Sequence, residues 1–96
     1  MALTVVAKFV AKAGKEEELK KEFLERIEPT RAEPGCISYE LHQDIDNPAI
    51  MVFLENWKSK EDLEKHLAMP YLQSLLGLVG DMCAEPPEIR MATKIA

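Results

Sequence analysis

The sequence predicts one α+β domain of order β-α-β-β-α-β, a four-stranded antiparallel sheet with helices on one face. Three observations carry this. Apolar residues alternate with period two at Leu3–Ala11, Cys36–Asp44, Ile50–Trp57 and Glu88–Ile95. Apolar residues three or four apart fill the long intervals after the first and third of these segments. Turn residues punctuate the junctions. The 96 residues make a single domain spanning 1–96, without internal repeat, linker or low-complexity segment.

In the first strand Leu3, Val5, Ala7, Phe9 and Ala11 face one way, with Thr4, Val6, Lys8 and Val10 opposite. Ala13-Gly14-Lys15 is the turn. Glu16, Glu17 and Glu18 suit the first turn of a helix, where carboxylates meet the positive end of the helix dipole. Leu19, Phe23 and Ile27 recur every four residues as its core stripe, widened by Leu24. Pro29 ends or kinks this helix, and Glu33-Pro34-Gly35 forms a firm turn. The second strand sets Ile37, Tyr39 and Leu41 against Ser38, Glu40 and His42.

Asp44-Ile45-Asp46-Asn47-Pro48 turns the chain into Ile50–Trp57, which suggests an antiparallel hairpin. That third strand is apolar on both faces, with Ile50, Val52 and Leu54 against Met51, Phe53 and Trp57. Ser59 is a good N-cap, with Asp62 three residues on in the manner of a capping box. Leu63 and Leu67 set the inward stripe of the short helix that follows. Pro70 suits the first position of another, continued by Leu72, Leu75, Leu76, Val79 and Met82. Glu85-Pro86-Pro87 stops it. The last strand, Glu88–Ile95, puts Ile89, Met91 and Ile95 on one face. The element order is the ferredoxin-like plan.

Composition excludes several functions. Net charge is −5 and no Lys/Arg cluster is free of interleaved Glu, which argues against nucleic acid as a partner. Cys36 and Cys83 match no metal spacing or disulfide framework and read as two reduced thiols. The start has no basic region ahead of its apolar run, and no run approaches the ~20 residues of a membrane span. The expectation is a soluble cytoplasmic protein with no membrane partner. Without a Gly-rich phosphate loop or a Cys/His cluster, no cofactor and no metal are expected. Helices on one face leave the other face of the sheet uncovered, although strands one and three carry apolar residues there. A homodimer packing sheet against sheet resolves this.

Glu33-Pro34-Gly35-Cys36, Tyr39-Glu40-Leu41, Phe53-Leu54-Glu55-Asn56-Trp57, His66-Leu67 and Met69-Pro70-Tyr71 resemble the antibiotic biosynthesis monooxygenase domain, in particular its small quinol monooxygenase-like members. The similarity covers nearly the whole chain. Its most specific part is the step from Trp57 to His66 followed by Pro70. The resemblance implies a dimeric α+β barrel of ferredoxin-like protomers that oxygenates quinol-like or phenolic substrates with O2, using neither metal nor flavin. Two departures bear on chemistry. Where many relatives carry a second His after the Pro, this chain has Tyr71. The haem-degrading branch uses an Asn on the first strand, and LTVVAKFVA has none.

Cofactor-free oxygenation requires an electron-rich substrate, a base for its hydroxyl proton and an apolar pocket that excludes water. His66 is the candidate base, since an imidazole titrates near ~6.5. Its structural alternative is a half-buried His bonded to a backbone carbonyl. Trp57 and Phe53 are the candidate aromatic wall, with core packing as the plain alternative for Trp57. Glu55 is a carboxylate in an otherwise apolar strand; turned inward it must be paired or protonated, and an edge-exposed Glu is the alternative. Asn56, Tyr71 and Tyr39 are candidates to hydrogen-bond a substrate oxygen. His42 reads as surface or interface, and Arg90 as a candidate to neutralise an anionic substrate, with a cross-strand pair with Glu40 or Glu88 as the plainer account. The leading reading is a dimeric monooxygenase of a quinol or another hydroxylated aromatic. A tautomerase of a keto-enol metabolite and a non-catalytic small-molecule-binding dimer are the alternatives.

Overall fold

The computed structural model of the protein describes residues 2–96. Its elements run β1 (Leu3–Val10), α1 (Glu16–Glu25), α2 (Ile27–Arg31), β2 (Cys36–Gln43), β3 (Ile50–Trp57), α3 (Lys60–Leu67), α4 (Pro70–Met82) and β4 (Glu88–Ala92). The strands form one sheet in the order β2-β3-β1-β4, every neighbour antiparallel. This is the ferredoxin-like plan that the order of elements predicts.

Side-chain alternation sorts the sheet into two faces. Val5, Ala7 and Phe9 of β1 and Met51, Phe53 and Trp57 of β3 are buried beneath the helices. Leu19 and Phe23 of α1 pack onto them with no exposed surface. Phe23 lies 4.9 Å from both Phe9 and Phe53, centroid to centroid, and the three rings make the centre of the core. Separations and tilts of this kind favour edge-to-face contact.

Two element boundaries differ from expectation. The first helix stops at Glu25, before Pro29, and a short helix restarts at Ile27 with Pro29 inside it. Pro29 has no N–H for the Glu25 carbonyl four residues back, and its ring would crowd that carbonyl, so the break falls upstream of the proline. The last strand ends at Ala92, because β1 offers partners only from Thr4 to Lys8. Ile95 therefore lies beyond the sheet, 97% exposed.

The turns behave as their residues dictate. Gly14 takes φ +87°, a conformation that costs glycine little. Asp44 Oδ2 accepts the backbone N–H groups of Asp46 and Asn47, closing the hairpin turn. Ser59 caps α3 by accepting the Asp62 N–H at 3.2 Å. The Glu33-Pro34-Gly35 turn packs against that same first turn of α3.

On the helix-free face Thr4 donates to Asn56 at 2.7 Å and Asn56 donates to Ser38 at 2.9 Å, a polar row across three strands. Val6 pairs with Leu54 and Lys8 with Val52 beside it, leaving an apolar centre with charged margins. His42 pairs with Glu40 there, and Arg90 with Glu88, both exposed.

At Gly35 an added Cβ would overlap Cβ and Cγ of Asp62. Gly35→Ala should therefore lower unfolding stability by about 1–3 kcal/mol, read from the denaturant midpoint. An unchanged midpoint would show that the turn and α3 part without cost.

Candidate functional site

Between the sheet and the second helical pair lies a cavity of about 140 Å³. Two cross-strand rows floor it. Tyr39, Glu55, Val5 and Met91 align in one register, and Phe53, Ala7 and Ile89 in the next. Leu63, His66 and Leu67 of α3, with Leu72, Leu75 and Leu76 of α4, roof it. The wall is apolar apart from Glu55, His66 and the Tyr39 phenol. Leu67, Leu76, Ile89 and Met91 surround its mouth and are themselves exposed.

His66 is brought inward by the Ser59 cap, which fixes the start of α3 so that positions 63 and 66 share its buried face. The inward stripe is Leu63 and His66, not Leu63 and Leu67 as the spacing suggests; Leu67 stays 40% exposed at the mouth. The imidazole is 2% exposed and lies between two rings. Trp57 stacks on it at 4.6 Å and 33°, and Tyr39 meets it edge-on at 5.6 Å.

Glu33 completes the arrangement from below. Its Oε2 accepts His66 Nδ1–H at 2.9 Å and also accepts the Tyr71 hydroxyl. The turn carrying Glu33 is pinned on both sides. Lys58 N–H bonds the Gly35 carbonyl at 2.9 Å, and Arg31 forks onto the Tyr39 carbonyl at 3.1 and 3.0 Å. Because a carboxylate only accepts, Nδ1 carries the hydrogen and Nε2 holds the free lone pair. No hydrogen bond among the described residues uses Nε2. Thr30, fully buried near the phenols of Tyr39 and Tyr71, has an unpartnered hydroxyl.

Burial drives the titration of the site. It lowers the His66 pKa below the usual imidazole value, with Glu33 opposing, so the ring is neutral near pH 7. It raises Glu55 to about 7; the Trp57 indole opposes that by donating to Oε1 at 2.9 Å, and the Glu33 carboxylate adds to it. Tyr39 is raised by burial and then by Glu55, and Tyr71 is pushed up to about 12 by burial and then by Glu33.

Of the residues that the sequence nominates, His66, Phe53, Glu55 and Tyr39 line the cavity. His66 is bonded to a carboxylate rather than to a backbone carbonyl, and Glu55 faces inward. Trp57 is no wall of the cavity, because its fully buried ring stacks on His66 and holds Glu55. Asn56 points to the helix-free face, since strand alternation turns it away from Glu55 and Trp57. Tyr71 reaches Glu33 instead of the cavity. Glu33 is the residue that sequence reasoning passed over; as part of a Glu-Pro-Gly turn it gives no local sign of a partner 33 positions away. Among the described residues no group of three or more His, Cys, Asp or Glu gathers to hold a metal ion, and no helix is long and apolar enough to cross a membrane.

Residues 2–76 match the family model described as antibiotic biosynthesis monooxygenase. An uncharacterised protein of Synechocystis sp. is 37% identical over 65 residues, covering 68% of this chain and 44% of that protein, so the match spans less than half of that relative. A Mycobacterium tuberculosis protein, named provisionally as a monooxygenase, is 30% identical over 84 residues, 88% of this chain and 82% of that one. Its solved structure shares the fold with a TM-score of 0.95 over 100% of this chain and 97% of that chain, at 26% identity. A conserved protein from Methanosarcina mazei Go1 has a TM-score of 0.92 at 32% identity, covering 98% and 93% of the two chains.

The Glu55 shift has a stability consequence. An acid whose folded pKa is raised from 4.5 to about 7 destabilises the fold as it ionises, so its penalty is absent at pH 4 and full above pH 7. Glu55→Gln keeps an acceptor for Trp57 and removes that penalty. The variant should gain on the parent protein by about 1–3 kcal/mol between pH 4 and 8 in urea unfolding. A difference that stays constant with pH would contradict the shift.

Proposed function

Because the chain belongs to the antibiotic biosynthesis monooxygenase family, we propose that it is a cofactor-independent monooxygenase of a quinol or another hydroxylated aromatic, with His66 as general base. One observation carries this reading. A neutral imidazole, held at Nδ1 by a buried carboxylate and with Nε2 free of any hydrogen bond among the described residues, borders an apolar cavity.

The chemistry follows from those parts. His66 Nε2 takes a hydroxyl proton, and Glu33 stabilises the imidazolium that results. The ring anion is then electron-rich enough to pass an electron to O2. A C–O bond forms, the O–O bond breaks, one oxygen stays on the ring and the other leaves as water. A quinol plus O2 gives a hydroxyquinone plus water, with all electrons drawn from the substrate. Apolar walls favour both the ring and O2 and keep bulk water from the anion. Phe53 and Tyr39 supply aromatic surface for the ring. Trp57 supports this base by stacking on it, and Tyr71 shares the Glu33 carboxylate.

A second reading, a tautomerase of a keto-enol metabolite, is favoured by Glu55. A carboxyl titrating near neutrality on the wall that also holds His66 makes a donor and an acceptor for one proton. Oxygen uptake distinguishes the two, since a tautomerase consumes none. We also propose a homodimer through the helix-free face, supported by the Val6, Val52 and Leu54 centre left uncovered by the helices.

Oxygen consumption with a panel of dihydroxyarenes tests the chemistry. His66→Ala should reduce kcat/KM by about 10²–10⁴ with the fold retained. Unchanged uptake by the folded variant would remove His66 from the reaction.

Glu33→Gln should cost a comparable factor of about 10²–10⁴, because its amide can donate to Nδ1 and so favours the tautomer whose Nε2 is protonated. The double variant should be no slower than His66→Ala alone; full additivity would show that the two act separately. In the parent protein, activity should fall on the acid side below the usual imidazole value, the direction in which burial moves His66.

For assembly, light scattering should give twice the 10.9 kDa chain mass, and Leu54→Lys should shift it toward the single chain. A stable single-chain particle of the parent protein would overturn the dimer.

A further inference from the structure

The same cavity restricts what can occupy it, in size and in charge. Its volume of about 140 Å³ is close to the ~150 Å³ at which an apolar protein cavity holds one benzene ring. A second fused ring would have to displace Leu67, Leu76 or Met91 at the mouth. No Lys or Arg is among the residues that line it. An anionic group would therefore enter an apolar space with no counter-charge.

We infer that the cavity takes an uncharged, single-ring hydroxyarene, and that the Glu55 carboxyl is the group that binds its ring oxygen through Oε2. This rests on reading the cavity as the substrate site.

Glu55 is well placed for that role. Its side chain is buried and its Oε1 is already used by the Trp57 indole N–H. No hydrogen bond among the described residues uses its Oε2, and the carboxyl stands on the cavity wall. The groups facing it are Tyr39, its cross-strand neighbour, the Trp57 N–H, the neutral His66, and Glu33 and Cys36 nearby. None is a cation that would hold it ionised. Held largely protonated below about 7, it can donate from Oε2 to a ring oxygen. An incoming carboxylate would meet the Glu55 carboxyl and no positive charge. An amine would have to lose its hydration beside a neutral acid, so cations are disfavoured as well.

The test measures binding without turnover. The full chain is titrated in oxygen-free buffer at about pH 6, and its single Trp, stacked on His66, serves as the fluorescent reporter. The probes are catechol, 3,4-dihydroxybenzoate, dopamine and 1,4-naphthalenediol. Catechol should bind, with the other three at least about tenfold weaker. Glu55→Leu, which removes the donor, should weaken catechol by about tenfold, whereas Glu55→Gln, which keeps both a donor and the acceptor for Trp57, should bind it within about threefold of the parent protein. Equal or tighter binding of dihydroxybenzoate, dopamine or naphthalenediol by the parent protein would overturn the inference. So would unchanged catechol binding by a folded Glu55→Leu protein, or no binding of catechol by the parent protein. If Glu55→Leu does not fold, Glu55→Gln and the four-probe ranking by the parent protein decide. Oxygen uptake is scored separately, so selective binding without turnover would sink the monooxygenase reading and leave this one standing.

Discussion

The hydrogen bond between Glu33 and His66 is the constraint on which the rest of the site depends. Both partners are nearly removed from solvent, Glu33 at 8% and His66 at 2% exposed. A buried carboxylate without partners is among the costlier features a small domain can carry, and leaving a buried acceptor unsatisfied typically costs about 1–3 kcal/mol, more when it is charged. Here the carboxylate is shared by the imidazole and the Tyr71 hydroxyl, each from a different helix. The Glu-Pro-Gly turn, the Ser59 cap and the β3 end at Trp57 all converge on it. The pair thus ties α3 and α4 to the loop before β2, and the same bond selects the tautomer of the proposed base.

Two carboxyl groups act on this region in different ways. Glu33 touches the imidazole and favours its charged form, while burial favours the neutral form and prevails. Glu55 touches the indole instead and is itself driven toward neutrality. One acid therefore stabilises a proton on His66 once it arrives, and the other carries its own proton to the wall of the cavity. Trp57 links them by stacking on His66 while donating to Glu55. The indole thereby connects the two titrating groups through one rigid ring.

The fold was legible because its signals are local. Alternation at Val5, Ala7 and Phe9, the Ser59 cap and Pro70 at a helix start each depend on a few adjacent residues. Strand alternation also separates Asn56 from Glu55 and Trp57, and it sends Asn56 to the far face. What the chain's local pattern does not carry is long-range pairing. Glu33 reads as a turn residue, and its contact with His66 exists only after the sheet and both helices are assembled. Trp57 was visible as important, but whether a strand-end indole faces a cavity or a neighbouring ring depends on where α3 lands. Ile89 and Met91 read as ordinary strand residues, and their place at the mouth follows from β4 pairing with β1.

The central claim is that His66 presents an unprotonated Nε2 to the cavity because Glu33 holds the hydrogen on Nδ1. Nitrogen-15 NMR of imidazole-labelled protein reports this directly, through the different shifts of protonated and bare ring nitrogens. At pH 7 the account predicts a neutral His66 in the Nδ1–H form, converting toward Nε2–H in Glu33→Gln. A parent protein with His66 in the Nε2–H form, or as an imidazolium at pH 7, would contradict it.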